Sequence, residues 1–284
     1  MFTDYPELQG MDSEKFDFRE ILSPNKKGGY KNRKNNFRLK ILKTVHQVVG
    51  KILNEGEKVM RIGKGSAYYP AEFFLGNGYL TIMYNHYAMV CTNQRLLLIN
   101  INGRINRITH YLFQMPYQEI KKAKMGSFGS FILYPVKGKR RIFMSMKRYF
   151  AKELKQSITD ARTLTKEAAD PSESRHNLCP SCFVPLSKGL DSCSQCMAHF
   201  KEPRKAFFRS LLLPGLGDIY LGHRGLGLLE MLGSAIVWLV VLAFLFSGEQ
   251  GGLLPAVFLL VFYNGLDGLL TYHMANKGYM LDKK

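Results

Sequence analysis

Between residues 26 and 48 the sequence has no acidic side chain, against eight Lys and Arg. Nothing in its 284 residues matches a P-loop, a Gly-x-Ser-x-Gly elbow or an H-E-x-x-H helix. The best-marked routes to nucleotide hydrolysis, acyl transfer and metalloproteolysis are therefore missing, and an enzyme is not expected. The opening stretch MFTDYPELQGMDSEKFDF is acidic, with no basic flank and no apolar core. A secretory signal is thus not expected, and the soluble part is assigned to the cytosol. Cysteine is scarce. Four of the five fall into pairs, and Cys91 stands alone in the apolar run AMVCTNQRLLLI. That setting suits a small buried hydrophobe better than a reactive thiol.

What is present is positive charge ahead of a hydrophobic carboxy-terminal region. The formal net charge is +18; residues 49–169 hold 20 basic and 7 acidic groups, whereas residues 211–284 hold 4 and 5. Such a field attracts nucleic acid or anionic lipid. A basic domain tethered beside a membrane stays within a Debye length of anionic headgroups. Membrane lipid is therefore the expected partner and nucleic acid is not.

Residues 1–36 contain SPNKKGGYKNRKNN, rich in turn formers and charge, and read as a disordered tail. From Phe37 the pattern turns helical. Ile41, Val45, Val48 and Ile52 recur at three- and four-residue spacing with Leu42 and Val49 alongside, a stripe expected to pack on the next domain. Over residues 58–145 seven short apolar runs (EFFL, YLTIMY, YAMVCT, RLLLINI, ITHYLFQM, SFILYPV and RIFMSM) alternate with turn signals. They predict a small antiparallel barrel or sandwich. A charged helical stretch follows, with Phe150, Leu154, Ile158 and Ala161 as its stripe and Pro171 as its stop.

LNEGEKV, AMVCTNQRLLLI and MPYQEIKKAK, followed by a basic hairpin and one helix, resemble bacterial pleckstrin-homology-like (PH-like) domains over about residues 44–166. The resemblance implies a barrel of roughly seven strands closed by a carboxy-terminal helix, used as a platform for lipid or protein. It carries over no ligand residues. The basic residues near one end of that barrel (Lys121, Lys122, Lys124, Lys137, Lys139, Arg140 and Arg141) are the candidates for contact with lipid or a partner.

The strongest local signal is CPSCFVPLSKGLDSCSQC, which pairs Cys179 with Cys182 and Cys193 with Cys196, ten residues lying between the pairs. Two thiolates on one tight turn occupy two corners of a tetrahedron, and two such turns complete it. So short a segment has no core of its own, so metal binding supplies its folding energy. A structural Zn2+ follows, in a segment similar to a short zinc ribbon. Redox use of the C-x-x-C pairs is disfavoured because no α/β context surrounds them. Phe183 and Met197 stand where many ribbons have Gly, and His199 is expected just outside the ligand shell.

Leu226–Phe246 and Gly252–His273 each contain a single acidic residue, Glu230 and Asp267, and are long enough to cross a bilayer. Arg204, Lys205, Arg209 and Arg224 precede them, Lys277, Lys283 and Lys284 follow, and SGEQG between them has no basic residue. The positive-inside rule predicts a two-pass protein of the cytoplasmic membrane with both termini cytosolic. Ahead of the first span, FFRSLLLPGLGDIYLGHRGLG is too short to cross and reads as interfacial or re-entrant. Its P-G-L-G-D-I-Y-L-G-H-R-G resembles the TM-two domain family over roughly 207–274, except that Asp267 lies late in the second span rather than in that family's short polar link between the helices. Asp218, His223, Arg224, Glu230 and Asp267 are the polar groups at or inside the membrane. The favoured role is a structural tie in which a carboxylate pairs with Arg224 or the Gly-rich turn.

The fold class that emerges is a multidomain α+β membrane protein. It comprises a tail (1–36), a PH-like barrel domain with leading helix (37–170), a zinc ribbon (171–200), and an interfacial segment with a two-helix transmembrane hairpin (201–284). The function expected of it is that of a membrane-anchored binding or scaffold protein. The alternatives are a non-catalytic subunit of a membrane transport or secretion complex and, more remotely, an intramembrane enzyme. A protein partner is expected, and homo-oligomer formation is open.

Overall fold

The computed structural model describes residues 1–25, 27–70, 72, 84–126, 129–164, 175–246 and 253–282. Its contacts form two units: Met1–Tyr69 with Ile82–Lys188, and Pro70–Thr81 with Gly189–Lys284. The cysteine segment runs across the change of unit between Lys188 and Gly189.

The first unit is built on one antiparallel sheet. Its strands are β1 (Val59–Tyr68), β2 (His86–Thr92), β3 (Arg95–Ile101), β4 (Ile108–Pro116), β5 (Ile120–Met125), β6 (Phe131–Pro135), β7 (Arg141–Met144), β8 (His176–Leu178) and β9 (Pro185–Leu186). They lie in the order β5-β6-β7-β1-β2-β3-β4-β8-β9. Among the described residues β5 and β9 do not pair, so the sheet is open where a closed barrel was expected. Three helices accompany it: α1 (Phe18–Ile21), α2 (Arg33–Ile52) and α3 (Arg148–Leu164).

The central strands are apolar almost without break because both of their faces are covered. Pleating sends Ala88, Val90, Leu97, Ile99 and Leu112 into a cluster with Leu39, Ile41, Leu42, Val45, Val49 and Ile52 of α2. Tyr87, Met89, Cys91, Leu96, Leu98, Tyr111 and Phe113, their alternates, are buried on the opposite face. There the Phe113 ring lies 6.0 Å from both Tyr87 and Tyr111. The stripe of α2 therefore packs on the sheet as expected, although Val48 is only half-buried. The helix starts four residues before Phe37, because the Asn32 side chain accepts the Asn35 N–H at 2.8 Å and caps it there.

The disordered tail expected over residues 1–36 is instead folded where described. Tyr5, Leu8, Phe16, Phe18, Ile21 and Leu22 belong to the same core cluster. Backbone bonds from Asp17 to the Val59 carbonyl (3.0 Å) and from Val59 to the Lys15 carbonyl (2.8 Å) stitch the segment to β1. Fully buried Arg38 donates to the Ile21 carbonyl at 2.7 Å and pairs with Glu153 of α3. Local composition understated this segment because its large apolar residues are few and aperiodic, yet these six find places in the core over α2 and the sheet.

Five of the expected runs are strands β2, β3, β4, β6 and β7. EFFL and YLTIMY fall outside the described residues except for Glu72 and Tyr84. The P-Y-Q-E-I segment is a 3-10 turn (Tyr117–Glu119) leading into β5. Strand β1 lies outside the expected runs, because its GKGS reads as a turn signal. Glycine is there because neighbours fill its side-chain space: a Cβ on Gly63 would lie 2.2 Å from the buried Phe150 ring of α3. Phe150, Leu154 and Ile158 form the buried stripe of α3, and Ala161 is half-buried. The proposed stop at Pro171 lies outside the described residues.

The second unit carries α4 (Pro203–Leu212), α5 (Leu216–Leu221), α6 (Arg224–Phe246) and α7 (Leu253–Ala275). The stretch expected to be interfacial or re-entrant is two short helices broken at Pro214–Gly215. Helices α6 and α7 are long and apolar enough to span a membrane. Only 11% and 17% of their most apolar windows are buried, whereas a core helix of a soluble domain is mostly covered. Leu228, Leu239, Phe246, Phe258 and Val261 are among the large side chains left facing outward. SGEQG, the link between the spans, is outside the described residues.

Replacing Gly63 by Ala is expected to cost about 1–3 kcal/mol, since the buried Phe150 ring has no free space to enter. Gly10→Ala, with nothing within 4 Å of the added Cβ, serves as the control. Urea-dependent proteolysis of the detergent-solubilised full chain measures both.

Candidate functional site

The four paired cysteines converge. Their sulfurs all lie within 4.8 Å of one another, and none forms a disulfide. A tetrahedral ion with metal–sulfur bonds of about 2.3 Å requires sulfurs roughly 3.8 Å apart, which this grouping accommodates. Cys179 and Cys193 are buried, and Cys182 and Cys196 half-buried. His199 is not among the gathered ligand atoms.

Each pair sits on a turn of the same construction. In the first, Phe183 N–H donates to the Cys179 carbonyl and Cys179 N–H to the Val184 carbonyl, both at 2.9 Å. In the second, Met197 N–H donates to the Cys193 carbonyl and Cys193 N–H to the Ala198 carbonyl, again at 2.9 Å. Ser181 N–H also points at the Cys179 sulfur, 3.4 Å away. Phe183 and Met197, the residues in the glycine positions, adopt left-handed backbone with φ of 66° and 56°. An L-residue there costs about 1–2 kcal/mol, so these turns are held against a local preference. The first turn is the tip of the β8–β9 hairpin, which pairs onto β4 through Phe113–Asn177 and Gln114–His176. The ribbon strands therefore extend the sheet. The second is closed by the Ser192–His199 bridge. These four residues would hold a metal ion, with all ligand positions taken by protein sulfur.

The seven basic candidates gather at one corner of the sheet, though not all on loops as expected. Lys121, Lys122 and Lys124 lie on edge strand β5 and are exposed. A bulge between Ile120 and Lys122 turns two successive lysines outward. Lys137, Lys139 and Arg140 are exposed on the β6–β7 turn, and half-buried Arg141 begins β7. Because Val136 N–H bonds to the Glu119 carbonyl at 2.8 Å, that turn lies beside the start of β5. Lysines on an edge strand also discourage pairing with foreign strands.

Within the second unit Asp218, Glu230 and Asp267, on α5, α6 and α7, bring carboxylate oxygens within 4.8 Å of one another. Asp218 and Asp267 are buried and Glu230 is half-buried. Asp267 accepts the Gly215 N–H at 3.0 Å, and Asp218 accepts the Thr271 hydroxyl at 3.2 Å. His223 Nδ1 lies 3.3 Å from Asp218, and Ser210 bonds Thr271 at 2.9 Å. Of the expected tie, the Gly-rich turn is a partner. Arg224 is exposed and makes no ion pair among the described residues. The convergence depends on a backbone crossing: a Cβ on Gly215 (φ 89°) would stand 2.2 Å from the Gly227 carbonyl oxygen. Sequence reading missed Ser210 and Thr271, whose one signal was small hydroxyl residues within helices.

Comparison with protein-family profiles and with curated proteins finds no match. The functional reading therefore rests on the geometry of these sites.

Met197 is 66% exposed, so its side chain contributes little packing. Met197→Gly relieves the left-handed strain and is expected to stabilise the metal-bound turn by about 1 kcal/mol, read as slower metal release to a chelator. Burial pushes the Cys91 thiol up to about 12, so almost no thiolate exists at pH 8. After chelation four thiols should alkylate rapidly in the native full chain while Cys91 reacts only on denaturation, as mass mapping will register.

Proposed function

We propose that this chain is a zinc-containing, two-pass protein of the cytoplasmic membrane that acts as a binding platform rather than an enzyme. Seven antiparallel strands followed by helix α3 support a PH-like reading of the first unit. Helices α6 and α7 anchor it as a transmembrane hairpin, with both termini in the cytosol as the basic flanks favour. The Gly-rich lead-in to these helices keeps its likeness to the TM-two pattern. The four thiolates hold zinc, for which an all-sulfur tetrahedral set is a preferred environment. Filled entirely by protein, such a site leaves no position for substrate and acts as a rigid brace.

The observation that carries the binding role is the basic corner of β5, the β6–β7 turn and Arg141, on a chain with two helices long enough to anchor it. Each basic residue near an anionic surface contributes about 1 kcal/mol. In a tethered domain such a corner selects an orientation against lipid headgroups rather than supplying the tether.

The test uses the full chain in vesicles, with a fluorophore on Val136→Cys and an acceptor on lipid. Energy transfer should rise when about a third of the neutral lipid is replaced by phosphatidylserine at low ionic strength, and fall as salt screens the surface. Reversing Lys122, Lys139 and Arg140 to Glu should weaken docking more than about a hundredfold. Equal transfer on neutral and anionic vesicles rejects the lipid reading and leaves a protein partner as the better account.

A further inference from the structure

We propose that the junction of α5, α6 and α7 binds a hard divalent cation of the calcium, magnesium or manganese type, ligated by Asp218, Glu230 and Asp267. This inference is independent of the lipid-docking role and of the thiolate site.

The first observation is an imbalance of donors and acceptors. Three carboxylates from three helices converge within 4.8 Å. They accept hydrogen bonds from Gly215 N–H and the Thr271 hydroxyl, Ser210 also bonds Asp267, Glu230 and Asp218 are hydrogen-bonded to each other, and His223 lies beside Asp218. Among the described residues no Lys or Arg forms an ion pair with any of the three. Buried carboxylates at this separation repel one another and lose hydration, so the junction calls for positive charge from elsewhere.

The second observation is independent of the acids. Ser234 is 1% exposed, and its hydroxyl has no hydrogen-bond partner. It lies one helical turn beyond Glu230 on α6, and side chains four apart share a helix face. The Cα–Cβ bond of a helical residue tilts toward the helix amino terminus, which directs the Ser234 oxygen back toward Glu230. Glu230 Oε2 is likewise buried and unpartnered. Asn264 Oδ1, one turn ahead of Asp267 on α7, is also buried without a hydrogen-bond partner, although the same tilt directs it away from Asp267. Its amide group is fixed by donation to the Leu211 carbonyl at 3.0 Å, which leaves the oxygen as the free end.

Three converging carboxylates with a buried, unpartnered hydroxyl one helical turn from Glu230 form the environment of a hard cation rather than of zinc at thiolates. Oxygens on opposite sides of magnesium stand about 4.2 Å apart and of calcium about 4.8 Å apart, and the trio fits either. The three ligands come from three separate helices, so the ion would join the short α5 to both long helices. The backbone crossing at Gly215 and Gly227 makes that approach sterically possible.

The test is a manganese titration of the detergent-purified full chain, preloaded with zinc so that the thiolates are occupied, followed by the loss of the free-ion electron paramagnetic resonance signal. The expected result is one manganese per chain, displaced by calcium or magnesium. Glu230→Gln should weaken binding at least about tenfold, and Ser234→Ala measurably. Protease resistance without added cation establishes that each variant is folded. If Glu230→Gln misfolds, Ser234→Ala, which deletes only a hydroxyl, decides alone. The proposal is overturned by absence of manganese binding at millimolar concentration, the result expected if the carboxylates merely share protons. It is equally overturned by binding that Ser234→Ala leaves unchanged, or by displacement with zinc alone.

Discussion

Four thiol groups within 4.8 Å of one another place the tightest constraint on this chain. As thiolates they repel; as thiols they are weak donors and acceptors with little to hold them together. A tetrahedral cation would reconcile them, and its binding energy is on the order of 10 kcal/mol in small metal-dependent domains. That is ample to hold Phe183 and Met197 in left-handed backbone and to order a segment with no core of its own. The consequences reach the sheet, since the hairpin that carries the first cysteine pair supplies strands β8 and β9.

The membrane-length helices pose the opposite problem. Their outward faces are apolar and, in a membrane, would be satisfied by lipid chains, yet Glu230 and Asp267 converge with Asp218 of α5. Close approach of backbones at Gly215 and Gly227 brings these groups together, in the manner of small residues at helix contacts within membranes. Polar groups so arranged in an apolar setting are costly and call for compensation. In the first unit, by contrast, the charge is spread over an exposed sheet corner, where water and salt reduce its cost and it is available to a surface.

Much of this was legible in the sequence. The cysteine spacing reports the convergence of four sulfurs because knuckle geometry is local. The runs of β2–β4 and the helices α6 and α7 are long apolar signals that neighbouring residues do not disguise. Strand β1 was not legible, because Gly63 is chosen for the Phe150 ring that lies on it rather than for strand propensity. Nor was the amino-terminal segment, whose six core side chains follow no period. Asp218, Glu230 and Asp267 could each be picked out singly, but their meeting depends on a crossing of helices that no spacing encodes. The PH-like and TM-two resemblances named architectures, and the open strand order shows how far such a likeness reaches.

X-ray absorption at the zinc edge of the purified, detergent-solubilised full chain tests the central claim most directly. The account predicts one zinc per chain surrounded by four sulfurs at about 2.3 Å and no nitrogen or oxygen neighbour. A metal-free protein with Cys179, Cys182, Cys193 and Cys196 reduced and the chain still folded would contradict it, as would a zinc shell of mixed sulfur and nitrogen.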